Sequence, residues 1–96
     1  SRDILMFKYF RTETEGGNRP KCEQMIIQEK RANPAKIHYF FSASKELSGK
    51  FMITYMPRDK VRHEFVTVTP DGFRFRKQNF ETLAHLMKWF KVSLVQ

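Results

Sequence analysis

The chain has 96 residues, a formal charge of +8 and one cysteine, with 41% hydrophobic and 15% aromatic residues. That length suits one domain with a modest core and excludes two independent cores. The aromatic content excludes disorder, and no apolar run approaches the ~20 residues that span a bilayer as a helix. A lone Cys22 cannot form an internal disulfide, so a reducing compartment is expected. Eighteen Lys and Arg against ten Asp and Glu favour an anionic partner. The chain begins at Ser1 with neither a methionine nor a charged-then-apolar leader, and reads as an excerpt of a longer protein.

Ser1 to Arg11 crowds Ile4, Leu5, Met6, Phe7, Tyr9 and Phe10 together, which suits a short helix capped by Ser1 or, almost equally, a strand. Thr12 to Asn18 is polar and broken by Gly16–Gly17, so it reads as a loop. Pro20 stands where a first helical residue would, and Cys22, Met25, Ile26 and Glu29 follow at helical spacing until Asn33–Pro34 stops the helix. Ile37 to Ser44, Lys50 to Met56 and Val61 to Thr69 are β-branched and aromatic, each closed by turn residues, and read as strands. Phe73 to Arg76 alternates aromatic and arginine, the period of a short half-buried strand that sends phenylalanines inward and arginines into water. A last helix is expected from a cap at Asn79, with an apolar stripe of Phe80, Leu83, Leu86, Phe90 and Leu94. The order is helix, three or four antiparallel strands, helix: an α+β arrangement of a small sheet between helices.

These segments resemble, in order, the Src-homology-2 (SH2) domain, on Arg19 to Ile27 (RPKCEQMII), Tyr39 to Ser44 (YFFSAS), Gly49 to Tyr55, Val61–Arg62–His63, Phe73 to Phe75 and Phe80 to Phe90. The resemblance covers about Arg19 to Lys91 and implies an SH2-like fold, a small central antiparallel sheet flanked by two helices. Residues 1–18 would form an extension and loop, and residues 19–96 the domain. KELSGKF, EFVTVTPDGFRFR and KWFK, with the opening SRDIL, are similar to the second of two tandem SH2 domains in a nuclear transcription elongation factor, a chromatin-associated histone chaperone. That likeness implies the phosphorylated linker ahead of the carboxy-terminal repeats of RNA polymerase II's largest subunit as ligand. It also implies a sister SH2 domain in the same chain, nuclear localisation, no cofactor and no membrane.

The family resemblance assigns roles by position. Arg19 matches the helix-opening arginine that helps hold phosphate in many members, and His63 the pocket histidine. Lys45 and Lys50 bracket the turn that cradles phosphate. The strand arginine that forks onto phosphotyrosine falls at Ser42, and a hydroxyl cannot replace a bidentate, charge-assisted pair. Phe65 stands where many members carry a lysine over the phosphotyrosine ring. Phosphoserine is therefore expected rather than phosphotyrosine, with Arg19, Ser42, Ser44, Lys45, Lys50 and His63 as the phosphate- and peptide-facing set. Lys88 and Lys91, three apart on the last helix, are expected to form a second basic patch with Lys8. Arg62 and His63 are adjacent on a strand and must face opposite ways. No enzyme is indicated. His38, His63, His85 and Cys22 have no metal-ligand spacing, and there is no glycine-rich phosphate loop. The alternatives are a basic nucleic-acid-binding domain, with the contact expected to be weak, or a scaffold that only packs against the sister domain.

Overall fold

A computed structural model describes residues 10–11, 14, 16–44, 46–47 and 49–94, apart from the side chain of Leu94. Its elements are β1 (Phe10–Arg11), α1 (Arg19–Ala32), β2 (His38–Ala43), β3 (Lys50–Met56), β4 (Arg62–Thr69), β5 (Gly72–Phe75), β6 (Gln78–Phe80) and α2 (Leu83–Leu94). The strands form one six-stranded sheet in chain order. All neighbours are antiparallel except β1 and β2, which run parallel. Neither helix is long and apolar enough to cross a membrane.

Helix α1 begins where expected. Asn18 caps it, its Oδ1 accepting from the Lys21 N–H at 2.9 Å, with Pro20 in the first turn. It ends before Pro34, where the Asn33 N–H donates to the Glu29 carbonyl at 3.1 Å. Its buried residues are Cys22 and Ile26, one turn apart. They pack with Phe40, Met52 and Met56 on one face of the sheet. The opposite face is larger and aromatic: Phe41, Phe51, Ile53, Tyr55, Val66 and Phe75 meet Leu83, Leu86, Met87 and Phe90 of α2. Tyr39 and Trp89 are half-buried against this second cluster, as their size and polar tips require.

Ahead of Arg19, β1 adds an edge strand beside β2, in keeping with the strand alternative for the opening segment, and Phe10 packs against Phe51 with ring centroids 6.0 Å apart. The rest of the opening segment, including Lys8, lies outside the described residues. A sixth strand appears where the last helix was expected to begin. Arg76 and Lys77 both take positive φ, 51° and 66°, and form a two-residue hairpin turn that returns the chain as β6. Asn79 is therefore a strand residue and not a cap. Phe80 reaches the predicted core from β6 rather than from the helix. Thr82 caps α2 instead, its Oγ1 accepting from the His85 N–H at 3.1 Å. Gly72 makes this close return feasible, since a Cβ there would meet the Phe80 carbonyl oxygen at 2.1 Å.

Arg74 is exposed and Phe75 buried, as alternation demands, but Arg76 is not simply solvated. It stands over Phe75, Trp89 and Phe90, 5.0, 5.7 and 5.9 Å from their ring centroids. It also forks onto Glu64, with Nε 2.8 Å from Oε1 and Nη2 on Oε2, which in turn accepts from the Tyr55 hydroxyl. Burial pushes the Glu64 carboxyl upward, but the hydrogen bonds from Arg76 and Tyr55 override it and hold the group below the usual carboxylate range.

Phe90 is the centre of the aromatic cluster, meeting Tyr55, Phe75 and Tyr39 edge-on at 5.1, 5.8 and 5.9 Å. Truncation to alanine should cost about 3–5 kcal/mol, a large share of what a domain of this size has. Urea denaturation of Phe90→Ala should show a much lower midpoint at unchanged slope; an unmoved midpoint would mean that the cluster does not organise the fold.

Candidate functional site

Strand register decides which candidate side chains meet. Ser42 pairs with Met52 and Met52 with Phe65, so these three form a row across β2, β3 and β4. Phe40, Thr54 and His63 form the adjacent row on the same face. This is the face that α1 covers, and Arg19 opens α1. The Arg19 guanidinium lies over the Phe65 ring, 5.7 Å from its centroid. Two expected residues, Arg19 and His63, thus converge beside Phe65, close enough that the arginine's charge acts on the imidazole.

Both side chains face carboxylates that the sequence reading overlooked. Arg19 Nη2 is 3.5 Å from Glu46 Oε2, a half-exposed pair. His63 Nε2 is 3.6 Å from Glu23 Oε2, just beyond hydrogen-bond range. Glu23 lies one helical turn after Arg19, a spacing that places both on one side of α1 and was legible in advance. Glu46 is in a loop and left no such signal. The other imidazole nitrogen, Nδ1, is 3.0 Å from the hydroxyl of the buried Thr54. With that hydroxyl donating, the neutral ring carries its proton on Nε2, directed at Glu23. Burial lowers the His63 pKa, and Arg19 lowers it further, while Glu23 opposes both.

Ser42 does not belong to an open phosphate surface. It is wholly buried, and its Oγ is 3.9 Å from Cys22 Sγ. The two small, uncharged side chains fill the space between α1 and β2 at this point. Ser44 is also turned to local structure, its Oγ accepting from the Leu47 N–H at 3.0 Å. Lys50 is exposed at the start of β3, and Lys45 lies outside the described residues. Arg62 is exposed and faces away from His63, as strand alternation requires. Lys88 and Lys91 are exposed on α2, a separate element on the other side of the sheet. A concavity of about 530 Å³ elsewhere is bordered by Phe10, Phe51, Val68, Phe73, Leu83 and Lys50. Its lining is too apolar to serve a phosphate. Among the described residues no three His, Cys, Asp or Glu side chains gather as a metal site would need.

A sheet thus lies between two helices, with an arginine at the start of the first helix over Phe65 and beside a β4 histidine. A sequence profile of the SH2 domain matches residues 1–93, and the chain belongs to the SH2 domain family. It is 45% identical over 94 residues to transcription elongation factor SPT6 of Drosophila melanogaster, covering 95% of this chain and 5% of that protein. It is 38% identical over 93 residues to the suppressor of Ty 6 homolog of Caenorhabditis elegans, covering 95% and 6%. A homolog of the same factor in Arabidopsis thaliana is 31% identical over 90 residues, covering 94% and 5%. The chain thus spans only about one-twentieth of the length of these relatives. Among solved structures, the tandem SH2 domain of the transcription elongation factor Spt6 superposes with a TM-score of 0.77 at 26% identity, over 88% of this chain and 43% of that one. That protein is described as binding the phosphorylated C-terminal repeat domain of RNA polymerase II.

The buried, neutral His63 makes stability depend on pH with a definite sign. Its folded pKa lies below the unfolded value, so its contribution is complete above about pH 6.5 and is lost as pH falls through the folded pKa. Denaturation curves between about pH 5 and about pH 8 should show a decline on the acid side that His63→Gln flattens. Parallel declines in both proteins would assign the effect to other groups.

Proposed function

We propose that this chain is a noncatalytic phosphopeptide-binding module of a nuclear transcription elongation factor, working beside a sister SH2 domain. Its ligand is a phosphorylated, extended segment near the C-terminal repeats of RNA polymerase II's largest subunit, the linker ahead of them, carrying phosphoserine. The family membership and the likeness to the Spt6 tandem domain support the class.

The observation that carries the ligand choice is the buried, uncharged pair of Ser42 and Cys22. In a site with a buried guanidinium, a phosphotyrosine can insert its ring and end on a bidentate pair. Here Ser42 and Cys22 occupy that depth and offer no charge. The cation that stays accessible, Arg19, is at the rim, in the first turn of α1. A phosphate on a short side chain meets the Arg19 guanidinium without passing between Ser42 and α1. It displaces Glu46 from Arg19, an exchange that a half-exposed ion pair worth about 0–1 kcal/mol permits. Lys50 adds a cation at the start of β3, and Lys88 and Lys91 provide general attraction for an acidic segment from α2.

Calorimetry with phosphoserine and unphosphorylated linker peptides is the direct check. Arg19→Glu should remove most of the discrimination between the two, a change of about tenfold or more, equivalent to roughly 1.4 kcal/mol. Reversal of Lys88 and Lys91 should weaken both peptides by similar factors. The reading fails if the Lys88 and Lys91 variant loses phosphate discrimination while Arg19→Glu keeps it, or if a phosphotyrosine peptide binds tightly through its phosphate.

A further inference from the structure

Positive charge collects at the end of the domain opposite Arg19. Lys30 and Arg31 occupy the last turn of α1, and the connector 33–37 carries Lys36. His38 pairs with Met56 where β2 begins and β3 ends. That register brings the β3–β4 turn, with Arg58 and Lys60, to the same end. The connector is tied down there: Lys30 Nζ donates to the Lys36 carbonyl at 3.1 Å, and His38 Nε2 is 3.0 Å from the Asn33 carbonyl. Five cations therefore share this end with two carboxylates, Glu29 and Asp59. Glu29 already faces Arg11 at 3.5 Å and His38 at 3.9 Å. Arg31, Lys36, Arg58 and Lys60 are exposed, and none forms an ion pair among the described residues.

Helix electrostatics account for only part of this. Lys30 and Arg31 offset the negative end of the α1 macrodipole. Lys36, Arg58 and Lys60 lie outside any helix and have no such role.

We propose that this end is a docking surface for duplex nucleic acid, held through its phosphate backbone without reading of bases. Segments 29–37 and 57–62 contain no Phe, Tyr or Trp, so they offer no platform on which the bases of a single strand stack. The cations come from three separate segments, a helix end, a connector and a turn. A lone phosphate is best held by a convergent fork, whereas separated cations suit the closely repeated charges of a duplex, one per ~1.7 Å of axis. From Arg19 to Arg31 the helix rises about 18 Å, which separates this surface from the Arg19–His63 site and lets both be occupied together. The surface goes beyond the peptide-binding reading and does not depend on it.

Fluorescence anisotropy of the 96-residue chain with a labelled DNA duplex of roughly 16 base pairs and arbitrary sequence, titrated from about 50 to about 200 mM salt, tests the proposal. Four phosphate contacts predict a slope of log affinity on log salt near about −3.6. The K36Q/R58Q/K60Q variant should bring that slope to about −1 and weaken binding more than about tenfold at the lower salt. Arg19→Glu should leave the slope where it was. Should the triple variant melt early, the three single glutamine variants serve instead, each removing about 0.9 from the slope. The proposal is overturned by a duplex that does not bind at about 50 mM salt, or by a slope that survives the glutamine variants. A single strand of equal length binding better, or a phosphoserine peptide displacing the duplex, would overturn it too, since the latter places both ligands at Arg19.

Discussion

Six consecutive residues of β3, Phe51 to Met56, are buried, because the strand has neighbours on both edges and a helix on each face. Their side chains alternate: Phe51, Ile53 and Tyr55 enter the aromatic cluster under α2, and Met52 and Met56 enter the smaller cluster under α1. A slip of one residue would exchange the two sets, driving Thr54 among phenylalanines and Tyr55 against Cys22 and Ile26. The register with β2 and β4 is therefore strongly specified, and with it the two rows of side chains from which the site is built.

The α1 face tolerates polar groups only where each has a partner inside it. Ser42 is set against Cys22, and Thr54 against His63. Those pairings explain why three polar residues of the site lie at low exposure without a ligand. The Arg19 guanidinium is kept at the rim, where it faces Glu46, while the neutral His63 faces Glu23. An anion arriving there would meet a cation already balanced by a carboxylate, so the proposed binding is an exchange of partners rather than the filling of an empty positive hole. Such an arrangement restrains nonspecific anion capture by a chain of high positive charge.

The α2 face solves a different problem. The turn at Arg76–Lys77 uses two left-handed residues without glycine, a conformation that costs of order 1–3 kcal/mol each at its worst. What holds it is the fork of Arg76 onto Glu64, joined by Tyr55 and laid across the rings of Phe75, Trp89 and Phe90. The guanidinium suits this place because its plane can stack while its edge makes two hydrogen bonds, which an ammonium group cannot do.

Local pattern determined much of this protein. The bounds of α1 followed from Pro20 and Asn33–Pro34, and β2, β3 and β4 from β-branched and aromatic runs closed by turn residues, because propensity acts within a few residues. Alternation separated His63 from Arg62 and Phe75 from Arg74. The likeness to SH2 domains pointed to Arg19 and His63 as a pair and to Ser42 as a missing anchor. Only the tertiary structure decided what those residues touch. Nothing local shows that Cys22, twenty positions away, closes over Ser42, that Glu46 faces Arg19, or that Arg76 turns back to Glu64 across twelve positions. Strand β6 was missed for the same reason: its turn carries no glycine or asparagine signal and is held open by an ion pair with a distant strand. Local propensity acts through neighbours in the chain, whereas burial, ion pairing and register depend on groups that meet only after the sheet has closed between its helices.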